Sequence, residues 1–180
     1  MIQAPITIGG APIPSSAPLF LGVLGIHFAA GLIAVASGIV AMLSRKAAGR
    51  HPRFGTIYFW SLGVVVVTMT ALAVTRWAAD YPLFILGALS FAAAVVARRR
   101  APSRAGARVW VHVTAMGLSY ILLLTAFYVD NGPHLPVWRD LPHVTYWLVP
   151  FLVGVPLIVR VLFVHPLVRD ERRRMRTPGG

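Results

Sequence analysis

The sequence contains no cysteine, and only five of its 180 residues are acidic. Without a thiol the chain can form no disulfide, ligate no iron–sulfur cluster through thiolates and attach no haem covalently through a CxxCH motif. Any cofactor must therefore be held non-covalently, by histidine or by shape complementarity.

The few acidic residues lie outside the long apolar stretches of the sequence. They are Asp80, Asp130, Asp140, Asp170 and Glu171. Pumps and proton symporters usually keep an ionisable relay inside the helix bundle, so the positions of the acids argue against that class. The sequence also contains no GxSxG, HExxH or phosphate-binding loop motif, which favours a non-enzymatic role.

Apolar residues dominate the chain: 57% of it is hydrophobic, and the mean hydropathy is +0.73. A soluble domain of this size is far less apolar. Five apolar stretches stand out, each near the roughly 20 residues that cross about 30 Å of hydrocarbon. They predict an all-α membrane protein, a bundle of five transmembrane helices within residues 17–165, between an irregular segment at 1–16 and a basic tail at 166–180. The predicted spans are about 17–43, 54–74, 83–97, 109–129 and 144–164.

The cations cluster in the gaps after the first, third and fifth stretches, at about 45–53, 98–108 and 169–176. Cationic loops remain in the cytoplasm, so this pattern predicts a multi-pass protein of the bacterial inner membrane, with its N-terminus outside and its C-terminus in the cytoplasm. The formal charge of +12 does not indicate nucleic-acid binding, because the cations separate the spans instead of covering one face. Four cations of the tail are predicted to contact anionic lipid headgroups: Arg172, Arg173, Arg174 and Arg176.

Two histidines lie inside the predicted spans, and intramembrane ionisable residues are candidates for function. His27 lies about eight residues into the first span, and His112 lies about four residues into the fourth from the opposite side. At about 1.5 Å per residue their levels differ by roughly 10 Å, too far for one metal ion. His51, at the mouth of the second span, is a better partner for His112, whereas His27 could face His134 or His143. Each imidazole could ligate haem iron or, as the alternative, form a hydrogen bond to a neighbouring helix.

Helical spacing places small or adaptable residues beside both intramembrane histidines. They are Gly31, Ala34, Gly38, Met116, Ser119 and Tyr120. Small residues let helix backbones approach closely, so we interpret these two faces as the packing core of the bundle. A flat tetrapyrrole, such as haem b or a chlorophyll-type ring, is the alternative neighbour for a histidine beside small residues.

These residues form three motifs that resemble one family. The first span contains an HxxxGxxAxxxG run from His27 to Gly38, and the second is entered through an HxRxGxxY run from His51 to Tyr58. The fourth contains HxxxMxxSY from His112, followed by a TAF segment. Over about residues 27–160 the chain is similar to domain-of-unknown-function family 2306, small bacterial proteins with several predicted spans. The resemblance implies a helical membrane fold and marks His27, His51 and His112, but it implies no particular activity.

Two functions follow from these observations. The first is a non-enzymatic accessory or structural subunit that packs against a partner membrane protein, a second copy of itself, a pigment or lipid. The alternative is a b-type haem or quinone-linked electron-transfer protein that uses His27, His112 and His51 as tetrapyrrole ligands. A small-solute channel or transporter is a third hypothesis.

Overall fold

The structure, a computed structural model, describes residues 6–8, 11–13, 18–44, 49–75, 77–99 and 106–164. Each of its five α-helices is long and apolar enough to cross a membrane. This confirms the predicted helical class and the predicted number of apolar helices within the described residues. The helices are α1 (Pro18–Leu43), α2 (Arg50–Thr75), α3 (Trp77–Arg99), α4 (Gly106–Asn131) and α5 (Val144–Val164), with a 3₁₀ turn at Gly132–His134.

The N-terminal segment, expected to be irregular, contains a short antiparallel hairpin of β1 (Ile6–Ile8) and β2 (Ala11–Ile13). Ile6 pairs with Ile13, and Ile8 with Ala11. The sequence favours this hairpin because β-branched residues precede a Gly-Gly pair, a combination suited to a two-residue connection. At the other end of the chain, the four arginines predicted to contact lipid headgroups lie outside the described residues.

Helix α2 begins at Arg50, four residues before the predicted start. Gly49 precedes it with a φ of 130°, a value that side-chain-bearing residues rarely adopt. Pro52 fits in the first turn because the amide hydrogens of a first turn have no intrahelical acceptor. The cations Arg50 and Arg53 are therefore part of the helix instead of a preceding loop.

Helix α3 begins at Trp77 and not at the predicted residue 83. The prediction was wrong because it took Pro82 as the end of a link, whereas Pro82 lies inside α3, in its second turn. Asp80 instead lies in the first turn of α3, where a carboxylate is favoured by the helix dipole. Asp130 lies in α4. Both acids, placed between spans by the sequence analysis, are therefore parts of helices.

Consecutive helices pack antiparallel, which gives the bundle two chemically different ends. At one end α1, α3 and α5 begin, and we call this the acidic end because Asp80, Asp130 and Asp140 lie there. At the opposite end α2 and α4 begin, and we call this the basic end. The described cations of the basic end include Arg50, Arg53, Arg98, Arg99 and Arg160.

The buried core lies where α1 to α4 meet. Its central cluster consists of Ala34, Tyr58, Leu62, Ala94 and Leu123, each at most 7% exposed. The alanines on α1 and α3 bring those helices close to the larger side chains of α2 and α4. This core therefore sets the distances between the polar groups that the helices carry.

Candidate functional site

The structure brings His51 and His112 together at the basic end, as the depth argument predicted. Their ring centroids are 6.2 Å apart, and the ring planes are inclined at 72°. His51 lies in the first turn of α2, and His112 lies in the second turn of α4. The two side chains are partly buried, and the contact joins two helices that are not consecutive in the chain.

Each ring of this pair is also hydrogen-bonded to a backbone carbonyl of a further helix. His51 Nδ1–H donates to the Ala41 oxygen of α1 over 2.9 Å, and His112 Nδ1–H donates to the Ala97 oxygen of α3 over 3.0 Å. A carbonyl oxygen only accepts, so Nδ1 of each ring must carry a hydrogen. Nε2 is then the nitrogen through which either ring would ligate a metal, the arrangement usual for metal-binding histidines.

His27 lies nearer the acidic end and has a different kind of partner. Its Nδ1 is 2.9 Å from Thr68 Oγ1 on α2. The Thr68 hydroxyl has one hydrogen and also lies near two carbonyls of its own helix, at 2.7 Å from Val64 O and 3.0 Å from Val65 O. With its hydrogen on a carbonyl the hydroxyl accepts from His27 Nδ1–H, and in the other histidine tautomer the hydroxyl donates to Nδ1. The partner of this nitrogen is thus a threonine of the adjacent helix, not the His134 or His143 considered from the sequence.

A buried polar cluster ties three helices together midway along the bundle. Tyr58 Oη lies 2.7 Å from Ser119 Oγ, and Ser90 Oγ donates to Ser119 O over 2.7 Å. All three residues are at most 1% exposed. The serines at 90 and 119 were expected to form hydrogen bonds between helices, and these contacts confirm it, whereas Tyr58 was marked only as the last residue of the second motif. In an apolar surrounding these hydrogen bonds hold α2, α3 and α4 at fixed depth, because a broken bond leaves a polar group unsatisfied.

The six residues predicted to form packing faces divide between the interior and the surface. Ala34 is fully buried, Gly38 is buried beside Tyr120, and Met116 packs against the central cluster. The Tyr120 hydroxyl donates to Val35 O of α1 over 3.1 Å, which joins α1 directly to α4. Gly31 differs, because a Cβ built on it would meet no atom within 4 Å.

A second set of glycines, which the sequence analysis did not select, forms the interface of α4 with α5. A Cβ built on Gly117 would lie 2.5 Å from the Ile158 side chain. On the facing helix, a Cβ built on Gly154 would collide with the Ile121 side chain. The sequence contains a signal for this interface. In α4 Gly117 lies four residues before Ile121, and in α5 Gly154 lies four residues before Ile158, so each helix has a glycine and an isoleucine on one face.

Within the described ranges, no group of three or more histidine, cysteine, aspartate or glutamate residues is spaced to hold a metal ion. No family model, no curated protein and no solved structure matches the chain.

Proposed function

We propose that the protein is a non-enzymatic accessory or structural subunit of the bacterial inner membrane, with its N-terminus outside and its basic end in the cytoplasm. The charge asymmetry supports this orientation, because Arg50, Arg53, Arg98 and Arg99 lie at one end and the described acids lie at the other. Kinship with domain-of-unknown-function family 2306 is part of the same proposal and depends on the three histidine motifs.

The observation that carries the accessory role is the outer surface of the two flanking helices. Helix α1 packs chiefly on α2, and α5 packs chiefly on α4, so both present long apolar faces outward. The exposed side chains of these faces include Leu32, Ile33, Ile39, Met42, Leu152, Val153, Leu157 and Phe163. Lipid alone can cover such faces, but α1 also has glycines whose missing Cβ leaves room for another backbone.

Three glycines of α1 are not covered by another helix, because a Cβ on Gly22, Gly25 or Gly31 would meet no atom within 4 Å. Inside the bundle, by contrast, the Tyr120 ring covers Gly38 on the same helix. In lipid, close van der Waals approach across small residues is a main source of helix association. The α1 surface is therefore suited to a second membrane helix, from a partner protein or from another copy of this chain.

The accessory role predicts a stable complex after gentle solubilisation of the native membrane. Gly31→Leu should abolish co-purification of the partner, or dimerisation, because the added side chain separates the two backbones. The melting temperature should stay unchanged, because the site of substitution has open space. Size-exclusion chromatography with mass measurement checks this result. A wild-type protein that is monomeric and without a stoichiometric partner would contradict the proposal.

A second candidate function, tetrapyrrole binding, is favoured by the separation of His51 and His112. Two imidazoles that both ligate one metal ion, with metal–nitrogen bonds of about 2.0–2.1 Å, would have ring centroids no more than roughly 6 Å apart. The observed centroid separation is 6.2 Å, and both Nδ1 atoms hydrogen-bond to carbonyls, as in metal-ligating histidines. When bound, a haem would supply one-electron chemistry.

This candidate predicts that protein purified after growth with a haem precursor has a Soret band. His51→Ala and His112→Ala should each abolish or shift that band, whereas His27→Ala should leave it unchanged because Thr68 holds His27 at a separate place. Absorbance spectra of the three variants at equal protein concentration check the result. A colourless wild-type protein, or a band lost only in His27→Ala, would exclude ligation by the pair.

A further inference from the structure

An aromatic cluster joins α2 to α3 in the half of the bundle nearer the basic end. The Phe59 ring meets Trp60 edge-on, with ring centroids 5.4 Å apart, and lies 5.3 Å from the Phe91 ring of α3. A Cβ built on Gly63 would lie 3.5 Å from the Phe91 ring, so this ring packs closely on α2. Trp60 is 62% exposed, and the cluster therefore presents an aromatic edge to the surroundings of the bundle.

Arg98, near the end of α3, lies over this cluster. Its guanidinium carbon is 4.7 Å from the centre of the Phe59 ring, within the range of a cation–π contact. Side chains of an α-helix point back toward its N-terminus, and α3 begins at the acidic end. The Arg98 side chain therefore runs back along the bundle and places the guanidinium nearer the hydrocarbon than its own backbone. Arginines at the ends of spans more commonly extend toward the water.

The charge of Arg98 is not balanced by a carboxylate of the described residues. The ion pair among them joins Arg139 to Asp140 at the acidic end, and Asp80 and Asp130 lie at that end too. A cation at the edge of the hydrocarbon is costly without a counter-ion. The phosphate of a membrane lipid carries the opposite charge, and its oxygens accept paired hydrogen bonds from a guanidinium.

Trp60 adds a hydrogen-bond donor and an apolar path beside this cation. Its indole N–H only donates, and tryptophan is favoured at the level of lipid headgroups. Val64 and Val67 follow on the same face of α2 and are exposed. We propose that Arg98 and Trp60 bind the headgroup of an anionic phospholipid, whose acyl chains lie along this face of α2. The site is separate from the α1 surface, so its test is independent of the accessory role.

Titration of dioleoyl-phosphatidylglycerol into the full-length protein tests this proposal. The protein is kept in a neutral sugar-headgroup detergent, and native mass spectrometry counts the bound lipid. Arg98→Gln should weaken the tightest lipid binding about tenfold, because the charge-assisted hydrogen bonds to the phosphate are lost. Arg99→Gln removes the same charge one residue away and is the matched control, because the aromatic contact is made by Arg98. Its affinity should change less than about twofold.

Three further variants test how the site recognises the headgroup. Phe59→Leu stays apolar but removes the ring that holds Arg98, and should weaken binding about threefold. Trp60→Phe keeps a ring but removes the indole donor, and should also weaken binding about threefold. Arg98→Lys keeps the charge without the planar guanidinium and should give an affinity between those of the wild type and Arg98→Gln. Melting temperatures measured without added lipid should match for Arg98→Gln and Arg99→Gln, so that a difference between them reports lipid binding.

Two competitors identify the chemistry that the site selects. Dioleoyl-phosphatidylcholine, which has the same chains and no net charge, should bind at least about fivefold more weakly. Inorganic phosphate should not displace the lipid, because it has no acyl chains to contact α2. The proposal is overturned if phosphatidylcholine binds equally well or if inorganic phosphate displaces phosphatidylglycerol. Equal losses of affinity in Arg98→Gln and Arg99→Gln would also overturn it, because they would show a diffuse attraction by the basic end.

Discussion

Replacement of Gly38 by leucine is expected to lower the melting temperature of the solubilised protein by about 5–10 °C. A Cβ at this position would lie 2.5 Å from the Tyr120 ring and 3.2 Å from the Tyr58 ring. Neither ring can move without loss of a hydrogen bond, because Tyr120 donates to Val35 O and Tyr58 is bonded to Ser119. The added side chain must therefore separate α1 from α4 or break a buried polar contact.

The control for this experiment is Gly31→Leu, the same substitution two helical turns away on α1. Leucine is favourable in hydrocarbon, so both variants should insert normally. Gly31 has open space around it, and its variant should melt within about 1 °C of the wild type. Thermal unfolding of both variants in one detergent checks the difference. Equal losses at the two positions would show that the placement of α1 against Tyr120 is wrong.

The number of helices could be predicted from the sequence because bilayer thickness fixes the length of an apolar span. Two helix starts could not, because the first turn of α2 contains polar residues and Pro52, and α3 has Asp80 in its first turn and Pro82 in its second, all of which also suit loops. Signals for the true starts were present, since Gly49 precedes α2 and Asp80 stabilises the first turn of α3. Hydropathy locates the part of a helix that lies in hydrocarbon and omits the turns beyond it.

The proximity of His51 and His112 could be predicted because the rise per residue and short antiparallel connections fix their depth. The same argument could have paired His27 with Thr68, whose hydroxyl lies at a similar depth on the adjacent helix. Depth alone does not specify which side of a helix faces its neighbour. The difference between Gly31 and Gly38, and the contact of Tyr58 with Ser119, depend on helix rotation, which tertiary packing sets.

The interface of α4 with α5 should be the most sensitive to a single added side chain. Gly154 faces Ile121, and Gly117 faces Ile158, so each isoleucine fills the space left by a glycine on the opposite helix. Because the spacing within each helix is four residues, the two contacts lie one turn apart on the same face. Gly154→Leu would collide with Ile121 and also displace the neighbouring contact, which should lower the melting temperature by about 10 °C.

A compensating substitution separates this packing effect from a change in the membrane-facing surface. Ile121→Ala alone should also destabilise the protein, because it leaves a cavity against Gly154. Combined with Gly154→Leu, it supplies the space that the leucine needs, so the double variant should regain roughly half of the lost melting temperature. Gly22→Leu serves as the control, because a Cβ there meets no atom within 4 Å.

If the two losses of melting temperature simply add in the double variant, Gly154 and Ile121 do not face each other. If the loss is partly recovered, the two side chains share one space, and α5 is fixed to the bundle through glycine contacts that hydropathy alone does not reveal.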